Sequence, residues 1–298
     1  METKKKDVPK GIRLRWRAFT RQEKILLPIA HFLLLLIAVW MFASFIFVVL
    51  NSFKAPRDYN ESVLSFPKTW RFRNYIDAFS ISYRNTNVLM MAFNSIFYSV
   101  TCTLASIASS TVAAYALAKY KFKGRAFLYS FIIAIQIVPI FGTSGASLLL
   151  VNRLGLNDKI YLIWIPALSG FNYTCLIMHS YFKNISWEYA EAAFIDGAGN
   201  LYVFLRIMLP MVLPPMFFMG LGMFIGAWND YMTPLLFLPR NPTLATGIYY
   251  LKSASSSLQG GIPAFFAAVV LSCVPIILIF AFMQKTIFGM TTEGGIKG

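Results

Sequence analysis

Three carboxylates, Glu188, Glu191 and Asp196, fall within nine residues of a chain that holds only 12 acids in 298 residues. They alternate with Ala190, Ala192 and Ala193, and no Lys or Arg intervenes before Arg206. Alanine favours helix. Ser186 is suited to cap the helix start and Glu188 to face its positive end. Gly197 closes it as a left-handed C-cap would. Asn200 is placed to cap a second short helix, and Pro210 stands where the chain turns into the next apolar stretch. A small helix of this kind fits closely into a groove of another protein, with Glu191 meeting a basic residue there. Trp187, Ala190 and Phe194 add an apolar surface to it. The competing reading is an amphipathic helix lying flat on lipid, but a helix on anionic lipid would be basic.

A second group consists of amides and one aromatic set in apolar surroundings: Asn94, Gln136, Asn172, Asn229 and Tyr231. Polar groups are expensive in lipid unless they face a path or a partner. Amides and aromatic faces are what sugars bind, so these five are candidate path residues. The plainer alternative for each is a hydrogen bond between helices. No nucleophile, base and acid set is recognisable, so an enzyme is not expected. Cys102, Cys175 and Cys273 form neither a disulfide framework nor a metal-ligand spacing. No Gly-x-x-x-x-Gly-Lys-Ser/Thr loop occurs, so the chain cannot cradle ATP in that way.

The elements that hold these residues follow from charge. Hydrophobic residues make up 57% of the chain and charged ones 13%, against about 25% charged in soluble domains. Six windows contain no Asp, Glu, Lys or Arg: 25–50, 85–118, 126–152, 160–182, 207–229 and 253–284. A helix crosses a bilayer in about 20 residues, and lipid admits only helices or closed barrels. The expectation is an all-α membrane protein with six transmembrane helices. The net charge of +15 is clustered, not spread as for nucleic acid. Lys4, Lys5, Lys6, Lys10, Arg13, Arg15, Arg17, Arg21 and Lys24 precede the first window. Lys119, Lys121, Lys123 and Arg125 fill the gap after the second. Positive-inside bias places both termini and residues 186–210 in the cytoplasm. The division is a basic segment 1–24, a first span 25–50, an outer loop 51–84, a core 85–284 and a tail 285–298.

Texture differs between windows. The first is bulky and reads as a peripheral, lipid-facing helix. The second is rich in Ser, Thr and Ala and reads as closely packed. Pro139, Gly142 and Gly145, and then Gly260, Gly261, Pro263 and Pro275, mark candidate breaks. The long outer loop predicts a cap with a helix near residues 70–79. The segment 230–252, with Pro234, Pro239 and Pro242, is the other sizeable outer piece.

The residues now carry a resemblance. Glu191-Ala192-Ala193, Asp196-Gly197-Ala198, Phe204, Ile207, Leu209-Pro210 and Pro214 resemble the complete EAA loop of binding-protein-dependent ABC importer permeases. Trp228-Asn229-Asp230-Tyr231, followed by Pro234-Leu235-Leu236, resembles the stretch after the fifth span in maltose-type carbohydrate permeases. The tail from Gln284-Lys285 through Gly289, Thr291 and Gly294 to Lys297-Gly298 is similar to theirs, departing at residues 286–288 and at Glu293. The resemblance implies a type I importer fold in a bacterial inner membrane. It implies a second homologous permease, a dimer of cytoplasmic ABC ATPases that bind ATP and Mg, and an extracytoplasmic solute-binding protein. It makes Glu191, Ala192, Ala193, Phe194, Asp196 and Gly197 the helix that couples to the ATPase. No cofactor or metal is expected in this chain.

The solute is then a sugar or oligosaccharide. Ten basic residues against five acidic ones on the assigned outer side suit an anionic saccharide, or equally an acidic binding protein or lipid headgroups. The rival reading is an ion-coupled secondary transporter, which would bury ionisable groups at mid-membrane. Here only His31 and His179 lie in the windows, both near an end. A channel subunit, or a permease for a non-sugar solute, is the remaining alternative.

Overall fold

The structure, a computed structural model, describes residues 20–138, 142–254 and 261–294. Lys4 to Arg17, Pro139, Gly260 and Lys297-Gly298, all used above, lie outside the described residues.

Helix dominates, as an apolar chain with self-satisfied backbone requires. α1 (Arg21–Ser52) is followed by the short α2 (Pro56–Glu61) and α3 (Arg73–Ser80), then a two-residue hairpin of β1 (Ser82–Tyr83) and β2 (Thr86–Asn87). Arg84 and Asn85 form its turn at φ 49° and 66°, as a type I′ turn requires. α4 (Val88–Lys119), α5 (Arg125–Ile137), α6 (Thr143–Arg153) and α7 (Tyr173–Asn184) come next. α8 (Glu188–Ile195), α9 (Asn200–Val203), a π-helical turn (Phe204–Met208), α10 (Leu209–Met211) and α11 (Leu213–Asn229) follow. α12 (Met232–Phe237), α13 (Leu244–Ala254) and α14 (Gly261–Gly294) end the described chain.

Among the described residues, α1, α4 and α14 are each long and apolar enough to cross a bilayer unaided. The middle windows are bent or divided, the third at the candidate break Gly142. The third window is divided between α5 and α6, with Gly142 at φ 80° on the break. The fourth bends by 57° between a 3₁₀ stretch (Ile160–Ser169) and α7, and the fifth by 75° between residues 200–211 and α11. Composition does not show such breaks, because a bent apolar helix is as neutral as a straight one. Local causes are visible: Gly170 at φ 63° precedes α7, and Pro214 and Pro215 open α11 without backbone donors. The helix of the sixth window runs on through Gly294, while its apolar, membrane-length part ends at Gln284.

α4 is the mast of the fold. Its Tyr115 and Ala114 join one buried cluster with Phe182 and Met178. Its Tyr98 joins a second with Val151 and Leu238, and its Met91 a third with Trp228, Ala264 and Ala267. Ser95, Ser99, Ser110 and Thr111 are buried along it, the close packing that small hydroxyl residues permit. Gly170 shows how tight this is: a Cβ there would stand 3.3 Å from the Ser109 carbonyl oxygen. Gly170→Ala is therefore expected to destabilise by roughly 1–2 kcal/mol from the left-handed backbone alone, plus crowding. Thermal unfolding of the purified chain in detergent reads this as a lowered midpoint.

α1 packs on α14, with Phe47 edge-on to Phe266 at 6.0 Å, and is otherwise exposed along most of its length. The loop 51–84 folds as a cap, with the expected helix found as α3. Its basic residues are mostly engaged. Lys54 is fully buried, and its Nζ donates to the Ser62 and Val63 carbonyls at 2.9 and 2.8 Å. Burial pushes this ammonium below the usual lysine range, while the Asp58 carboxylate pulls it back up. Lys68 pairs with Glu61, Arg71 and Arg73 pair with Asp77, and Arg84 donates to the Pro239 carbonyl at 3.0 Å.

Candidate functional site

α8 sits at the C-terminal end of α4. The N-cap position falls on Trp187, one residue after the expected Ser186, whose hydroxyl accepts the Glu188 N–H at 3.3 Å. At the other end the Gly197 N–H donates to Phe194 at 3.0 Å and the Ala198 N–H to Ala193 at 2.9 Å. With Gly197 at φ 82°, this is a Schellman closure, which satisfies the last helical carbonyls. Asn200 does not cap α9 as expected. It is the first helical residue, Gly199 precedes it, and its Oδ1 accepts the Tyr120 hydroxyl at 3.2 Å instead.

The orientation of α8 corrects one expectation. Trp187, Ala190 and Phe194 are not an outward apolar surface. Ala190 is fully buried, and Trp187, Ala193 and Phe194 pack half-buried against Tyr115, Phe182 and Val203. The reason is the neighbouring chain: Tyr120 and Phe194 flank Trp187 at 6.4 and 6.0 Å between ring centres. What faces outward is Tyr189, Ala192 and Ile195, the last 86% exposed. Glu188, Glu191 and Asp196 surround them, also exposed. None of these three carboxylates has an ion pair among the described residues. Beside the helix, Asp196, Gly197, Tyr202, Arg206 and Ile207 line an open groove of about 600 Å³. Five basic residues, Lys119, Lys121, Lys123, Arg125 and Lys183, belong to the same end of the fold.

A second concavity lies toward the opposite end of α4, a helix of 32 residues and about 48 Å at 1.5 Å per residue. It encloses about 290 Å³ and is lined by Trp228, Asn229, Tyr231, Leu244, Ile248, Tyr249 and Ser272, among others. The Trp228–Tyr231 run divides its labour. Trp228 is buried, and its indole N–H donates to the Ser272 carbonyl at 3.1 Å, tying α11 to α14. Asp230 accepts the Tyr98 hydroxyl and the Thr233 N–H, both at 3.0 Å, tying α4 to the start of α12. Asn229 and Tyr231, by contrast, are exposed to the cavity.

The five candidate path residues therefore separate. Asn229 and Tyr231 come together. Asn94 is buried and donates to the Pro242 carbonyl at 3.0 Å. Asn172 caps α7, accepts from Ser110 at 3.0 Å and donates to Ser106 at 3.2 Å. Gln136 is exposed and reaches the Phe171 carbonyl at 3.4 Å. Asn94 and Asn172 act as ties between elements. Tyr249 was missed by sequence reasoning. It stacks on Tyr231 at 4.6 Å and 14°, and the Tyr249-Tyr250 pair was the available signal.

Comparison with known proteins bears on this arrangement. The family model described as binding-protein-dependent transport system inner membrane component matches residues 106–288, more than half the chain. The chain is 28% identical to the diacetylchitobiose uptake system permease protein NgcG of Streptomyces coelicolor, covering 94% of this chain and 92% of that one. It is 30% identical to the maltodextrin transport system permease protein MdxG of Bacillus subtilis, covering 79% and 84%. Among solved structures, a chain of a bacterial ABC transporter involved in the import of the acidic polysaccharide alginate superposes with a TM-score of 0.73. That match covers 90% of this chain and 98% of that chain at 22% identity, a likeness of fold. By the extent of the family match, this chain is a member of the binding-protein-dependent transport system inner membrane components.

Proposed function

We propose that this chain is one permease subunit of an ATP-driven importer of a sugar or oligosaccharide, and that α8 docks it onto a separate ATPase. The observation that carries the proposal is the two-sided build of α8. One side is locked into the fold through Ala190. The other presents, around Ile195, three carboxylates that have no ion pair among the described residues. A charged face with an apolar centre suits a protein groove, where buried apolar contact gives affinity and the charges give register. The chain itself is a transport subunit and not an enzyme.

The finer assembly follows in the same reading. The basic residues around α8 support a cytoplasmic position for that end and for both termini. A second permease completes the path, an ATPase dimer holds ATP and Mg, and the binding protein engages the end bearing Asn229 and Tyr231. Residues 85–284 form the transport core behind a separate first span. The chain crosses six times, the third time through α5 and α6 together. Two sugar-transport relatives, one named for diacetylchitobiose and one for maltodextrin, support a saccharide solute. Most cations of the 51–84 loop are bound within the cap, and support for an anionic saccharide comes from the structural neighbour involved in import of the acidic polysaccharide alginate.

Accessibility tests the coupling role. In a background with the three native cysteines replaced by Ser, Ala192→Cys is expected to react with an impermeant maleimide in inside-out vesicles only. Bound ATPase should protect it, while Ala190→Cys stays unreactive. Labelling of Ala192→Cys from the outer face, or equal labelling with and without ATPase, rejects the docking assignment.

A further inference from the structure

The cavity at the Asn229 end has a build that packing alone does not explain. Tyr231 and Tyr249 stack face to face at 4.6 Å, yet they are 37% and 50% exposed. Tyrosines that stack to fill a core are covered. These two keep open ring surface toward a cavity of about 290 Å³. Their stack is also held from behind. Tyr250 meets Tyr249 edge-on at 5.6 Å, Tyr83 stacks on Tyr250 at 4.5 Å, and the Arg84 guanidinium stands 5.4 Å from the Tyr83 ring centre. The Thr246 hydroxyl donates to the Tyr231 carbonyl at 3.1 Å, fixing the backbone on which that ring is carried.

The polar lining is equally specific. The Asn229 Nδ2 donates back to the Ile225 carbonyl at 2.8 Å. That bond orients the amide and leaves its oxygen as an acceptor on an exposed side chain. No Asp, Glu, Lys, Arg or His lines the cavity among the described residues. A ring face is negative and attracts polarised C–H hydrogens. A pyranose offers such hydrogens on its flat face and hydroxyl donors at its edge. The volume of about 290 Å³ lies just below the roughly 300–1,000 Å³ of small-molecule sites, so it takes one sugar unit of a longer chain.

We propose that Tyr231, Tyr249 and Asn229 form a saccharide subsite of this subunit, where one uncharged pyranose unit lays its C–H face on the tyrosine pair and donates a hydroxyl to the Asn229 oxygen. The subsite rests on the importer reading above. It adds that this chain holds sugar itself, at its outer end, and that any charge on the solute is recognised elsewhere.

The test uses the assembled complex in lipid nanodiscs and saturation-transfer NMR, with maltotriose and N,N′-diacetylchitobiose as probes. Transfer to pyranose ring protons is expected in the wild-type complex. It should fall about tenfold in Tyr231→Ala/Tyr249→Ala and in Asn229→Leu, and persist in Tyr249→Phe, which keeps the ring. Equal melting midpoints and ATPase content across the variants show that the fold is kept. Absence of transfer with both probes, or undiminished transfer in the double variant, overturns the subsite. Those results leave the importer reading standing if binding-protein-stimulated ATP hydrolysis is intact in the same samples. A complex that recruits no ATPase refutes the importer reading instead, and the NMR signal still decides the subsite.

Discussion

Glu191→Arg is expected to abolish ATPase recruitment while leaving the permease folded. Glu191 is exposed and has no ion pair among the described residues, so α8 loses nothing internal when the charge is reversed. The helix keeps its Schellman closure at Gly197 and its buried Ala190. On a docked partner the carboxylate would be desolvated beside a cation. Truncating one member of such a pair costs about 2–5 kcal/mol, which is roughly 30- to 4,000-fold in affinity. Reversal adds repulsion to that loss. Co-purification of the ATPase reads the first effect, and uptake of labelled oligosaccharide by proteoliposomes reads the consequence. A Glu191→Arg complex that assembled and transported normally would remove α8 from the coupling role. Glu191→Gln separates charge from shape and is expected to fall between the two.

Lys54→Met should be the most damaging single change outside the membrane-spanning helices. The Lys54 side chain is fully buried, and its two carbonyl partners belong to Ser62 and Val63, the turn that follows α2. Methionine fills similar space but strands both acceptors. A hydrogen bond from a charged donor contributes about 1.5–3 kcal/mol, and because water can reach the exposed Ser62 and Val63, a loss of about 1.5–3 kcal/mol is expected. Asn74, which donates to the Ser52 and Lys54 carbonyls at 2.8 Å each, keeps the backbone in place but cannot reach those acceptors. Protease accessibility of the 51–84 loop in right-side-out vesicles is the measurement. Cleavage should rise in the variant, and equal cleavage would show that the lysine is dispensable to the cap. The pH dependence has a definite sign. Burial lowers the folded pKa below the ordinary 10.5. Between the folded value and 10.5 the unfolded loop therefore binds more protons, and cap stability rises with pH across that window. The neutral amine still has N–H donors for both carbonyls.

The helical class and the α8 element were legible because their signals are local. Charge-free windows long enough to span read as helices, and Ser186 and Gly197 punctuate α8 where the structure ends it. The outward face of α8 was not legible. An eight-residue helix with apolar groups all round has no preferred side until Tyr115, Phe182 and Val203, brought in from other elements, claim one. The same applies to Asn94 and Asn172, whose partners at Pro242 and Ser106 lie 148 and 66 residues away. The breaks at Gly142, Gly170 and Val212 were invisible to charge counting, although glycine marks the first two and proline follows the third. Tyr249 lay in a segment read as loop, and only folding set it against Tyr231.

From Asn200 to Asn229 the backbone runs through the π-helical turn and then round a 75° elbow at Val212, and α8 joins the first arm through the turn at 197–199. A bell crank has this shape: a push along one arm leaves as a swing of the other. A tug on α8, passed through the turn at 197–199 to the arm 200–211, would thus reach the tyrosine pair as a sideways sweep, with its gearing set by the angle at Val212.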